Sequence, residues 1–136
     1  MYARRVDTDL LRQAAPFAET LGAEVVSASP EEVRLRLEWT PGRTTAGGAM
    51  HGGALMSLAD MAGAVCAFLN LPEGGTGTTT IESKTNFLRA LRDGHVEAVA
   101  RPLHTGRTTA VVDTELRDAD GRLVARTTQT QAVLTG

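Results

Sequence analysis

Cysteine is nearly absent: Cys66 is the only one in 136 residues. No internal disulfide can form, and a lone thiol fits a reducing compartment. Aromatic residues are scarce, with one Trp, one Tyr and three Phe, so no aromatic box for a ring is apparent. Neither sign of charge dominates. The formal net charge of −2 supplies no basic field for nucleic acid, although local basic clusters can hold a small anion. No apolar run is read as approaching the ~20 residues that span a bilayer. The N-terminus, MYARRVDTDLLRQ, has charge but no apolar core behind it, so no secretory signal is expected. The expectation is a cytoplasmic protein with neither nucleic-acid nor membrane partners. His51, His95 and His104 show no ligand spacing, no cysteine pair exists and no G-x-S-x-G elbow occurs, so metal and serine-triad chemistry find little support. Repeats, low-complexity tracts and linkers are also missing. The chain is read as one domain, residues 1–136, long enough to bury a core without staples.

What the chain does contain is clear helical and strand patterning. In DTDLLRQAAPFAETLG, Asp7, Thr8 or Asp9 can cap a helix, Pro16 divides it in two and Gly22 can end it. AEVVSASPEEVRLRLEWT reads as two strands around a turn at Ser29-Pro30. In the second strand Val33, Leu35, Leu37 and Trp39 alternate with charged residues, which predicts one buried and one wet face. The glycine-rich PGRTTAGGAM is a loop. A helix is predicted from Gly52 to about Leu69, closed by NLPEGGTG. Its many Ala and Gly side chains suggest close approach to neighbouring backbone, as when a sheet wraps around a central helix. Extended segments follow at about 76–89, 94–104, 107–118 and 122–134, with turns at Asp93-Gly94, Thr105-Gly106 and Asp120-Gly121. The last three form an antiparallel meander, and the class is α+β, an antiparallel sheet on one buried helix.

The segment AGGAMHGGALMSLAD carries the candidate chemistry. A helix N-terminus has unpaired N–H groups and partial positive charge. Gly52 and Gly53 let a ligand approach that backbone closely, so a carbonyl held there would be polarised and an oxyanion stabilised. Asp60 lies eight residues on, roughly 12 Å along the axis. It cannot act on a carbonyl bound at its own Gly52. If the two cooperate, they come from different chains of a two-fold dimer. As a purely structural residue, Asp60 would instead bond a neighbouring backbone group. His51 is read as fixing the loop by a hydrogen bond, and Cys66 as a small apolar residue.

Four stretches, PFAETLGAEVV, GGAMHGGALMSLADMAGAVCA, TTTIESKTNFLRAL and HTGRTTAVVDTELRDADGRLVARTTQT, resemble in order and spacing the PaaI-like (phenylacetate-degradation-type) acyl-CoA thioesterases of the hotdog-fold 4-hydroxybenzoyl-CoA thioesterase superfamily. The resemblance implies a sheet wrapped around a long helix, pairing into a homodimer or homotetramer, and hydrolysis of acyl-CoA without metal or organic cofactor. It implies an oxyanion donor at the Gly52 N–H and a carboxylate at Asp60 from the opposite subunit, acting as nucleophile or general base. Thr80 falls where the family often has a water-positioning Ser or Thr, and His51 where it has the loop-ordering histidine. Thr45 departs from the family's usual Asn or Gln; a hydroxyl reaches less far and donates one hydrogen. Arg89, Arg107 and, more weakly, Lys84 are candidates for the phosphates of coenzyme A, or else solvated surface cations. Two other readings stay open: a hotdog hydratase or dehydratase pairing His51 with Asp60, and a non-catalytic acyl-CoA binding module.

Overall fold

A computed structural model describes residues 5–136. Helix α1 (Thr8–Ala14) starts where the Asp7 carboxylate accepts the Leu10 N–H at 2.9 Å. Pro16 opens α2 (Pro16–Leu21), and Gly22 closes it in the left-handed region at φ 90°. Strands β1 (Glu24–Ala28) and β2 (Val33–Glu38) follow, then a 3-10 turn at Pro41–Arg43. Helix α3 (Gly52–Leu69) matches the predicted span. The remaining strands are β3 (Gly75–Phe87), β4 (His95–Thr105), β5 (Thr109–Asp118) and β6 (Leu123–Thr135).

All six strands form one antiparallel sheet in the order β1-β2-β4-β5-β6-β3. The meander β4-β5-β6 is as predicted, and β3 lies at the far edge. Val33, Leu35 and Leu37 of β2, and Val112 and Leu116 of β5, are buried, at the period of two that one covered face demands. They close on Leu55, Leu58, Ala59, Ala62 and Cys66 of α3. Burial pushes the Cys66 thiol up to about 11, so it is a core side chain and not a nucleophile.

Three expectations need correction. First, α3 has 18 residues at mean hydropathy 1.6, so by length and composition it is long and apolar enough to cross a bilayer. Its small residues kept that from view, and in the fold its apolar face lies on the sheet. Second, Trp39 is beyond the end of β2 and only partly buried; its indole N–H donates to Gly48 O at 3.0 Å and pins the glycine-rich loop. Third, β3 stops at Phe87, because the N–H groups of Leu88 and Arg89 both turn onto Val124 O.

A bulge in β3 decides what faces the helix. Thr80 pairs with Gln131 and Glu82 with Thr130, so Ile81 is an extra residue. Side chains alternate strictly along a strand, so Thr80 and Phe87, of opposite parity, could not otherwise share a face. With Ile81 inserted both do: Thr80 bonds Asp60, and Phe87 packs on Gly52.

Further along α3, Gly63 leaves room for Gln129. A Cβ there would stand 1.8 Å from Gln129 Nε2 and 2.4 Å from its Cδ. Alanine is the better helix former by about 1 kcal/mol, yet Gln129 is buried and its amide is bonded on both sides, so it cannot step aside. Gly63→Ala is therefore expected to destabilise the fold by about 1–3 kcal/mol, the range for an overpacked core. Urea denaturation measures it; a stability gain would contradict the packing described.

Candidate active site

His51 is the N-cap of α3, and its Nδ1 accepts the Gly53 N–H at 2.8 Å. The neutral ring therefore carries its hydrogen on Nε2. The His51 N–H donates to Arg43 O. Arg43 is itself clamped, donating from Nε to Leu21 O at 2.8 Å and from a terminal nitrogen to Glu38 O at 2.9 Å. Sequence reasoning found the histidine as a loop-ordering residue and missed the arginine beneath it. The Ala54 and Leu55 N–H groups both turn onto His51 O. Among the described residues, the Gly52 N–H alone in this first turn has no acceptor. It is the one donor left at the positive end of the helix.

Gly52 opens onto a cavity of about 360 Å³ lined by Met50, Leu55, Phe87, Leu88, Arg89 and neighbouring backbone. Gly53 and His51 border a different one, of about 320 Å³, with Phe17, Thr44 and Ser57. The structure thus brings Arg89 to Gly52, at the end of the sheet where β3 stops. Arg89 forms no ion pair among the described residues, whereas Arg122 nearby is held by Asp118 and Asp120.

Asp60 lies on the same helix but in other company. Thr80 Oγ1 donates to its Oδ1 at 3.1 Å, and Oδ2 has no partner among the described residues. The carboxylate is exposed. Behind Thr80, Gln131 Nε2 donates both to Thr80 Oγ1 and to Gln129 Oε1, each at 2.7 Å, and Gln129 Nε2 donates to Ala59 O at 3.1 Å. Neither glutamine was foreseen. A signal existed: two amides two residues apart, with Thr127, on the inward parity of β6.

Other predicted residues are scattered within one chain. Arg107 sits in the β4–β5 turn, beside Thr108, whose carbonyl accepts the Val133 N–H. Arg89 is anchored to Val124, nine β6 residues away, roughly 30 Å along the strand. One chain cannot place both arginines on one phosphate. Lys84 pairs in register with Thr128, whose hydroxyl donates to Asp113 on the outer face, away from α3. Thr45 is exposed in its loop, held by backbone bonds to Ala49 and Gly48, and borders neither cavity. His51 and Asp60 lie nine residues apart on one helix, roughly 14 Å, so the histidine–acid pair of a hydratase does not form within a chain. Among the described residues no group of three or more His, Cys, Asp or Glu could hold a metal.

The family model described as the Thioesterase superfamily matches residues 47–125, the span from the glycine-rich loop into β6. The chain belongs to the thioesterase superfamily. It is a thioester hydrolase by family. The 1,4-dihydroxy-2-naphthoyl-CoA hydrolase of Escherichia coli K12 is 37% identical over 87 residues, 64% of this chain and 63% of that protein. PA1618 of Pseudomonas aeruginosa is 40% identical over 91 residues, 65% of this chain and 63% of that one. In each case the match spans a little under two thirds of the relative's length. The crystal structure of a mutant of PA1618, described as a thioesterase, superposes with a TM-score of 0.89 at 28% identity and 99% coverage of both chains. The E. coli PaaI protein, from the phenylacetic acid degradation operon, has the same fold: TM-score 0.84 at 23% identity, covering 96% of this chain and 92% of that one. The hotdog fold implied by the sequence is therefore the fold of this thioesterase.

His51→Ala removes the acceptor that the Gly53 N–H has among the described residues. Loss of an N-cap costs about 0.5–2 kcal/mol, and that loss is expected in urea denaturation. His51→Asn, whose side-chain oxygen also accepts at an N-cap, should recover most of it. Equal losses in both variants would mean that the cap is not what His51 contributes.

Proposed function

We propose that this thioesterase hydrolyses an acyl-CoA to the free acid and CoA at a site assembled from two chains. One chain contributes the Gly52 N–H, the cavity beside it and Arg89. The other contributes Asp60, held by Thr80. The carrying observation is the split itself: a free helix-start donor and an exposed carboxylate, about 12 Å apart on one rigid helix. The open edge of β3 supports the pairing. Among the described residues this strand of 13 pairs only with β6, and Ile81 on it is 62% exposed, an edge that a second sheet would cover.

In the assembled site the thioester carbonyl oxygen rests on the Gly52 N–H, where negative charge develops as the carbonyl becomes tetrahedral. Asp60 then acts in one of two ways. As a base it takes a proton from water, whose oxygen forms the new bond to carbon. As a nucleophile its own oxygen forms that bond, and water later cleaves the resulting anhydride. In both, the carbon–sulfur bond breaks and sulfur leaves with its electron pair, to be protonated as the CoA thiol. Arg89, and Arg107 from the Asp60-bearing chain, are the cations offered to the CoA phosphates. His51 holds the Gly53 N–H and so leaves that of Gly52 for substrate. A cytoplasmic location is proposed with this activity, since acyl-CoA and a reduced thiol belong to the same compartment.

The acyl group is to be found by screening short, medium, long, aryl and arylacetyl CoA thioesters for released thiol. On the best of them, Asp60→Asn keeps the shape and removes charge and basicity, and a loss of at least ~10²-fold in turnover is expected. Chelators should change nothing. Near-normal turnover by a folded Asp60→Asn protein would refute the assignment.

A further inference from the structure

We propose that Gln131, oriented by Gln129, is a positioning residue for Asp60, fixing the direction in which the Thr80 hydroxyl points. This rests on the hydrolase reading above and extends it to two residues that touch no substrate.

The direction follows from which atoms can donate. Ala59 O, a helix carbonyl, can only accept, so Gln129 presents Nε2 to it and turns Oε1 toward Gln131. Facing an oxygen, Gln131 also presents its nitrogen. That nitrogen has two hydrogens. One goes to Gln129 Oε1 and the other to Thr80 Oγ1. Thr80 has a single hydrogen, and with a donor on its oxygen that hydrogen is left for Asp60 Oδ1. If either amide were reversed, oxygen would face oxygen, or Thr80 would spend its hydrogen on Gln131. Donation thus diverges from Gln131 Nε2: one branch runs through Gln129 to the carbonyl of the residue preceding Asp60, the other through Thr80 to the carboxylate of Asp60.

Burial gives the chain its force. Gln129 and Gln131 are each 1% exposed, so no water competes for their hydrogens and neither amide can flip without orphaning a polar group. The missing Cβ of Gly63 is what admits the Gln129 amide beside the helix. The result is a carboxylate with one oxygen held and Oδ2 free for chemistry.

The test uses the full chain on its best acyl-CoA. Gln131→Leu alone leaves Gln129 Oε1 buried without a partner and can fail to fold. The Gln129→Met/Gln131→Met pair removes both amides at nearly constant shape and is the working variant. It should fold, with kcat lower by about tenfold, the scale of one hydrogen bond to an ionised group, and KM unchanged. Thr80→Val should do the same. Because the glutamines act through Thr80, the triple variant should be no slower than the slower of its two parents. Losses that multiply, or a methionine pair with unchanged kcat, overturn the proposal. If the unmodified chain releases no thiol from any acyl-CoA, the hydrolase reading has failed, and the positioning role is read from crystal structures instead. Asp60 should then keep its bond to Thr80 in the unmodified chain and turn away in the methionine pair. A carboxylate that stays in place in both overturns it.

Discussion

The stiffness of α3 governs the rest of the site. Each residue adds about 1.5 Å along the axis, so no side-chain rotation can bring Asp60 to the Gly52 N–H of the same chain. The helix is long because a six-stranded sheet must be covered, and it is rich in Ala and Gly because strand backbone lies close upon it. One packing solution therefore produces both ends of the proposed chemistry and keeps them apart. Within a chain, each end has its own company. Gly52 has Phe87 and Arg89; Asp60 has Thr80 and the buried glutamines.

Two local devices reconcile that chemistry with a folded core. The bulge at Ile81 resets strand parity, so that one edge strand offers Thr80 to the acid and Phe87 to the helix start. The chain of amides satisfies polar groups that would otherwise be costly to bury. At the helix start, Arg43 and His51 use up nearby acceptors and donors until, among the described residues, the Gly52 N–H alone in the first turn is unpaired. In both places, free groups are produced by satisfying their neighbours.

Much of this was legible in the sequence, and what was not has physical causes. The span of α3 was readable because glycines open it and a proline- and glycine-rich turn ends it. Asp60 stood out as the lone acid in an apolar stretch. The meander followed from its Asp-Gly and Thr-Gly turns. The faces of β3 were not readable. Its residues are polar on both faces, so no apolar alternation marks the inner one, and the bulge inverts parity midway. The spacing of Gln129 and Gln131 puts both on one face of β6, but that this face is the inner one depends on a register that only the folded sheet displays. Arg89 and Arg107 were both visible as cations, but their separation along β6 was not.

The central claim is that Gly52 of one chain and Asp60 of another form one site, and complementation tests it most directly. Gly52→Pro removes the free N–H, and proline suits a first helical turn preceded by extended backbone such as His51, at φ −60° and ψ 134°. The added carbons meet the half-exposed Phe87 ring, which can give way. Gly52→Pro alone should lose ~10²–10³ in turnover. Equal amounts of Gly52→Pro and Asp60→Asn chains, carrying different affinity tags to verify exchange, are mixed and assayed. Random exchange makes half the dimers mixed, and each mixed dimer holds one intact site beside one with both lesions. The account predicts a return to roughly a quarter of wild-type activity. Verified mixed dimers that remain as inactive as their parents would contradict it.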